Sequence, residues 1–251
     1  MKATIYPDLE ARHVLVTGGA TGIGKDIVTA FINQNCQVTF FDVQDHEGHE
    51  LANGLGQRAH FFHCDLQDTH AIQTQVQSVA NQYGPISVLV NNAANDERCA
   101  IESTDAEFWD WSHRINARSQ FFVAQAAFQS MKSLNNGAVI NLSSIAWRLG
   151  IPELAAYATA KAGILGLTQS LAREFGQHNI RVNAVEPGAV MTEKQRELWY
   201  PTDDDVNRMV DRQMLKAVLV GIDIARVVVF LASDDSAAIT GQSIQADAGF
   251  R

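Results

Sequence analysis

Apolar residues in this chain gather in short unbroken runs rather than alternating with polar ones. Seven runs read as strands: His13–Thr17, Val38–Phe41, His60–His63, Val88–Val90, Ala138–Leu142, Arg181–Val185 and Ser243–Gln245. Between them lie stretches with the 3.6-residue period of a helix: Ile23–Asn33, His70–Tyr83, Phe121–Leu134, Tyr157–Phe175 and Ile222–Ala232. A strand without polar alternation is covered on both faces, which is the condition of a parallel sheet between helical layers. The β–α alternation implies right-handed crossovers, so the pattern predicts an α/β fold with a doubly wound parallel sheet, in one domain spanning residues 1–251. The rhythm breaks once. Residues 189–220 carry Trp199, Tyr200, Pro201 and the acidic run Asp203–Asp205 with no clear period. An insertion of that length predicts a mobile lid over a site.

Composition narrows the class. With 251 residues and 46% hydrophobic residues the chain can bury a full core. A formal charge of -9 argues against nucleic acid as a partner, because phosphate binding needs clustered cations. No run approaches the ~20 apolar residues of a membrane span, and the opening MKATIYPDLE lacks the apolar core of a secretory signal. Cys36, Cys64 and Cys99 show no CxxC pairing, and His60 and His63 have no carboxylate or thiol cluster beside them. The expectation is a cytoplasmic protein with neither disulfides nor a metal site.

The first strand runs directly into Thr17-Gly18-Gly19-Ala20-Thr21-Gly22-Ile23-Gly24, followed by a helix. Glycines there allow a tight turn and close approach of a pyrophosphate, and the helix start offers free N–H groups. The spacing is GxxxGxG rather than GxGxxG; its place between strand and helix is what marks a dinucleotide loop. Asp42 ends the second strand, 18 residues after Gly24. Its carboxylate suits the two adenosine ribose hydroxyls and repels a 2′-phosphate. No Arg or Lys precedes Gly22 or directly follows Asp42. NAD is the expected cofactor, with NADP use left open.

Tyr157 and Lys161 stand at i and i+4, on one helix face. A free phenol ionises near ~10. A neighbouring ammonium and a positive nicotinamide ring would lower that value, and a drop of about three units corresponds to roughly 4 kcal/mol. The pair therefore predicts a proton-transfer centre. Ser144 lies 13 residues before Tyr157, just beyond the strand Ala138–Leu142, where its hydroxyl can hold the reacting oxygen; Ser143 is the competing hydroxyl, and spacing favours Ser144. Asn116 offers an amide for a water that links Lys161 to solvent. Asn91-Asn92-Ala93-Ala94 supplies small polar residues at the end of the fourth strand.

Taken together these residues resemble the short-chain dehydrogenase/reductase family over nearly the whole chain. TGGATGIG is similar to its TGxxxGIG loop, so the resemblance implies Rossmann-type cofactor contacts at Gly18, Thr21, Gly22, Ile23, Gly24 and Asp42. Asp65, with Leu66, resembles the acid beside the adenine. Asn92, Ala93 and Ala94 resemble NNAG with Ala94 in place of the usual glycine. Pro187-Gly188, Val190 and Thr192 resemble the PGxxxT segment that contacts the nicotinamide carboxamide. Asn116, Ser144, Tyr157 and Lys161 match the family's catalytic tetrad, with Tyr157 and Lys161 also touching cofactor. The family resemblance further implies a homotetramer, with Phe121–Leu134 and Tyr157–Phe175 as candidate contacts.

Several segments resemble more narrowly the bacterial aldose 1-dehydrogenases, which oxidise D-xylose, L-arabinose or L-fucose to lactones. They are Ile5-Tyr6-Pro7, Asn92–Arg98, Lys194-Gln195 with Trp199-Tyr200, and Asp247–Arg251. Sugar sites combine amides and carboxylates with an aromatic face. Asn95, Asp96, Arg98, Ser144, Trp147, Tyr157, Gln195 and Trp199 are the expected substrate residues. Two rivals stand beside this one. One is a carbonyl reductase or hydroxy-acid or hydroxyacyl dehydrogenase on the same fold. The other is a catalytically inactive dinucleotide-binding regulator, which Tyr157 and Lys161 in register argue against.

Overall fold

The computed structural model describes residues 4–251, and it shows why the strand runs are apolar throughout. Seven strands form one sheet: β1 (His13–Thr17), β2 (Gln37–Asp42), β3 (Ala59–His63), β4 (Ile86–Asn91), β5 (Gly137–Leu142), β6 (Ile180–Pro187) and β7 (Ser243–Ala246). Their order is β3-β2-β1-β4-β5-β6-β7, and every pairing is parallel. Both faces are covered. Val14, Val16, Val38, Phe40, Val88 and Val90 point into one core with α1 (Gly22–Asn33) and α10 (Gly221–Ala232). Leu15, Phe41, Leu89, Val139 and Val182 point the other way, against α3 (Thr69–Tyr83), α5 (Ser119–Leu134) and α7 (Ala155–Phe175). Alternate residues of one strand thus enter different cores, which removes the polar alternation of a half-exposed sheet.

All seven expected strands and all five expected helices are present, with ends moved by up to two residues. Two helices had no periodic signal. The first, α2 (Asp45–Leu55), packs on the outer strands and fully buries only Gly48. The second, α4 (Ala106–His113), buries only Ser112 and continues through a π turn, Arg114–Arg118, into α5. In α2 the apolar residues Leu51, Ala52 and Leu55 are only partly buried against the core, so the apolar stripe is short and shallow.

The lid segment is helical as well. Thr192 accepts a hydrogen bond from the Gln195 amide and starts α8 (Glu193–Leu198). Thr202 and Asp205 form a capping box on α9 (Asp203–Asp211). The acidic run Asp203–Asp205 is therefore the first turn of a helix, where its charge meets the positive dipole end. Val206 and Met209 of α9 pack against Ile145 and the near-C-terminal Phe250. Among the described residues no helix is long and apolar enough to cross a membrane.

β1 lies between β2 and β4, so the chain leaves its carboxyl end in opposite directions on either side. This opens the crevice in which doubly wound sheets bind ligands. A buried polar chain supports that end. Asn91 Nδ2 donates to Asn141 Oδ1 at 2.9 Å, and Asn141 Nδ2 donates to Thr168 Oγ1 at 3.0 Å. Asn141→Leu removes the partner of Thr168 and leaves Asn91 Nδ2 only the Gln120 carbonyl at 3.1 Å, so it should lower stability by about 1–3 kcal/mol in urea unfolding. A change below about 0.5 kcal/mol would contradict the role assigned to this chain.

Candidate active site

The glycine loop closes on itself before any ligand is considered. Gly18 has φ +64°, and a Cβ there would lie 2.7 Å from Ala93 Cα. A Cβ on Gly24 would overlap the Gly18 carbonyl oxygen. Asn92 Nδ2 donates to the carbonyls of Thr17 (3.1 Å) and Gly18 (2.8 Å), while Thr17 Oγ1 accepts from the amides of Asn92 and Ala93. The loop after β1 and the loop after β4 are thereby one unit. Thr21 leads into α1 with no side-chain cap, and the first turn of α1 has no acidic residue. Its N–H groups are left for an anion.

Asp42 is buried at the end of β2. One of its oxygens accepts from the Ala20 amide at 3.0 Å and the other from the Val43 amide at 2.8 Å. Oδ1 also accepts from the Gln44 amide at 3.2 Å, while Oδ2, with the Ala20 amide alone, keeps lone-pair capacity for a ribose hydroxyl. Asp65 and Leu66 follow β3, beside Asp42; one Asp65 oxygen accepts from the Gln67 amide at 2.9 Å. On the far side, a Cβ on Gly22 would stand 3.5 Å from Thr192 Cγ2, so the segment Pro187–Thr192 overhangs the glycine loop. The Val190 side chain is in the core and its backbone bridges to Leu219, leaving only main chain to face the crevice. An uncapped helix start, a cradle that excludes Cβ atoms and an acid at the ribose position fit a nicotinamide dinucleotide.

Tyr157 and Lys161 lie in the first turns of α7, with the Lys161 Nζ 5.7 Å from the phenol ring centroid. The amine is 1% exposed and donates to the Leu142 carbonyl at 2.8 Å. Ser143 Oγ is occupied, donating at 2.7 Å to the Lys161 carbonyl. Ser144 is the free hydroxyl: it accepts from the Ala146 amide at 3.1 Å, and its hydrogen bond to the phenol favours the phenolate. The two serine hydroxyls thus have different partners.

The charge state differs from the sequence expectation. Burial raises the Tyr157 phenol above its ordinary value, and Asp96 raises it further, against the Ser144 hydrogen bond. Burial also pushes the Lys161 amine down to about 7, with Asp96 working the other way. Both groups are removed from water, and burial disfavours the charged form of each.

Asn116, in the π turn, is fully buried. Its amide donates to the Asn95 carbonyl (2.9 Å) and accepts from the Asn95 amide (2.9 Å). It clamps the loop after β4, so both ends of the amide are engaged before any relay water. That loop places Asp96 against the lid: Asp96 accepts from Lys194 Nζ at 2.6 Å and from Gln195 Nε2 at 2.9 Å. Lys194, singled out only as part of a segment resembling the aldose 1-dehydrogenases, gave no sign of this pairing, since its partner is 98 residues away. Arg98 stacks on the Trp199 ring at 3.6 Å, so one face of the expected sugar platform is covered. A cavity of about 220 Å³ opens beyond it, between Trp199, Tyr200, Arg208, Met209, Arg212 and Phe250. Trp147 is drawn elsewhere: its Nε1 donates to Glu186 at 2.9 Å and Arg148 covers its ring at 4.1 Å. Among the described residues no cluster of His, Cys, Asp or Glu could hold a metal.

Lys161 generates a stability prediction. Unfolded, the amine holds its proton to about 10.5; folded, it loses it near 7, so its cost is full at and below pH 7 and fades as pH rises to 10.5. Lys161→Met should raise stability at pH 7 by roughly 2–4 kcal/mol and abolish turnover. The Leu142 carbonyl remains satisfied by Gln120 Nε2 at 3.1 Å. Urea unfolding at pH 6.5 and pH 9.5 checks the sign: the variant's advantage must shrink at the higher pH.

Comparison with known proteins agrees with this geometry. A family model described as Enoyl-(Acyl carrier protein) reductase (adh_short_C2) matches residues 18–251. The "Probable galactose dehydrogenase GalD" of Rhizobium meliloti (strain 1021) is 45% identical, covering 97% of this chain and 96% of the relative. The D-xylose 1-dehydrogenase of Caulobacter vibrioides is 40% identical over 100% of both chains. A crystal structure from Sinorhizobium meliloti 1021, assigned to the short-chain alcohol dehydrogenases, superposes with a TM-score of 0.90 at 35% identity over 96% of this chain and 97% of that one. The chain belongs to the short-chain dehydrogenase/reductase family and is an oxidoreductase.

Proposed function

We propose that the protein is an NAD-dependent aldose 1-dehydrogenase that oxidises the anomeric carbon of a free sugar to a lactone. The observation that carries this reading is the polar wall beside the phenol. Asp96 and Gln195 are hydrogen-bonded to each other, and the charge of Asp96 acts on both Tyr157 and Lys161. A carboxylate and an amide next to the reacting hydroxyl suit a substrate with neighbouring hydroxyls. Full-length similarity to proteins named for galactose and D-xylose supports the same class.

In this reading the α1 N-terminus holds the pyrophosphate, Asp42 the adenosine ribose, Lys161 the nicotinamide ribose and the Pro187–Thr192 segment the carboxamide. Bound NAD supplies the hydride acceptor for C1 and a positive ring beside the phenol. Tyr157 takes the proton of the anomeric hydroxyl, and Ser144 donates a hydrogen bond to the same oxygen. Asp96, Asn95, Arg98 and Gln195 orient the remaining hydroxyls, and the Asn116 clamp holds Asn95 in place. Asp42 favours NAD over NADP, since a 2′-phosphate would meet its carboxylate. The reading includes a cytoplasmic homotetramer, for which Phe121 and Leu134 of α5 are exposed contacts.

A panel of free aldoses and of ketones and aldehydes, followed at 340 nm with each nucleotide, tests the substrate class. Aldose oxidation with NAD is expected, and Tyr157→Phe should lower kcat by about a thousandfold or more while nucleotide affinity stays within a few-fold. Activity confined to the carbonyl panel would replace this reading with the reductase one. Asp96→Asn removes a negative charge that raises the phenol, so the acidic limb of the kcat/KM profile should move to lower pH as KM for sugar rises. A limb that stays in place would separate Asp96 from the proton chemistry.

A further inference from the structure

Glu186, on β6, has no solvent exposure. Its carboxylate accepts four hydrogen bonds: from Trp147 Nε1 at 2.9 Å, Arg148 Nε and Nη2 at 3.0 Å each, and Ser243 Oγ at 2.6 Å. Burial works to raise its carboxyl, but the bonds from Arg148, Ser243 and Trp147 outweigh it and hold the group below the ordinary carboxylate range. So many donors on a buried acid are an arrangement that costs desolvation and fixes geometry in return.

Three of the four donors sit on α6 (Ala146–Leu149), a single turn that cannot stand by itself. That turn begins two residues after Ser144, and its first amide, Ala146 N–H, donates to Ser144 Oγ. The Ile145 amide donates to the Pro187 carbonyl at 3.2 Å, a second tie to the same end of β6. The turn that aims Ser144 is therefore tied to β6 by polar bonds at Glu186 and Pro187, beside the apolar packing of Ile145 and Leu149.

We propose that Glu186 is a positioning residue that acts through Trp147 and Arg148 to hold the Ser144 hydroxyl at the Tyr157 phenol. Trp147 is then part of a clamp, not a stacking face for sugar. The proposal rests on the catalytic reading of Ser144.

A double-mutant cycle tests it. Glu186→Gln and Trp147→Phe are made singly and on Ser144→Ala, and kcat and KM are measured with whichever substrate the wild-type enzyme turns over. Each single change should lower kcat about tenfold with KM for substrate and nucleotide within twofold. The acidic limb should move to higher pH, because the Ser144 hydrogen bond that lowers the phenol is weakened. On Ser144→Ala the further loss should fall below twofold, since the group being aimed is gone. The same tenfold loss on Ser144→Ala, or a rise in sugar KM alone after Trp147→Phe, would overturn the clamp and leave Ser144 catalytic. Full activity of Ser144→Ala would overturn the catalytic reading and the clamp with it. If Glu186→Gln does not fold, Trp147→Phe carries the cycle, because it removes one donor and keeps the aromatic bulk.

Discussion

An amine on α7 is held almost out of water against the last carbonyl of β5. That contact fixes where the chemistry of this fold can take place. Lys161 Nζ meets Leu142 at 2.8 Å, and one residue further on Ser143 returns a hydrogen bond to the Lys161 carbonyl at 2.7 Å. Helix and strand are thus tied in both directions at the carboxyl edge of the sheet. Ser144, the next residue, is left on the crevice side, and Tyr157 one helical turn earlier shares that side. The cost is electrostatic: burial disfavours both the ammonium of Lys161 and the phenolate of Tyr157.

The lid is tied to the same electrostatics. Asp96 is fixed by Lys194 and Gln195 of α8, and its carboxylate is the charge that reaches both members of the pair. Asn116 reaches the same loop from the π turn, gripping Asn95 by both its amide and its carbonyl. A lid movement that parts α8 from Asp96 would change hydroxyl recognition and proton affinity together. Of the two short capped helices, α9 rests through Val206 and Met209 on a small apolar cluster apart from the two cores that flank the sheet, while α8 fully buries no residue.

The glycine loop and the loop after β4 make a third coupling. Asn92 uses its side-chain amide on the carbonyls of Thr17 and Gly18, so a residue of a family motif acts here as a strut between strands. Gly18 and Gly24 are close-approach positions for that reason, since each would drive a Cβ into a neighbouring main chain.

The sequence by itself determined the sheet, because strands buried on both faces write an unbroken apolar run, and helices with a wide buried face write a 3.6-residue period. It also determined the family motifs, because each is contiguous: the glycine loop, Asp42, the Ser144–Tyr157–Lys161 spacing. It did not yield α2 or α4, which each fully bury only one small residue, or the helices of the lid, where caps rather than periodicity set the ends. Tertiary structure alone set the burial of Tyr157 and Lys161, which raises the phenol and lowers the amine, since burial is a property of the whole packing. It alone paired Asp96 with Lys194 and drew Trp147 to Glu186, over separations of 98 and 39 residues. Glu186 had no reading from the sequence, because its partners Trp147, Arg148 and Ser243 lie 39, 38 and 57 residues away. A local pattern records what a residue does to its own helix or strand; which distant group it meets is set only when the strands are ordered side by side.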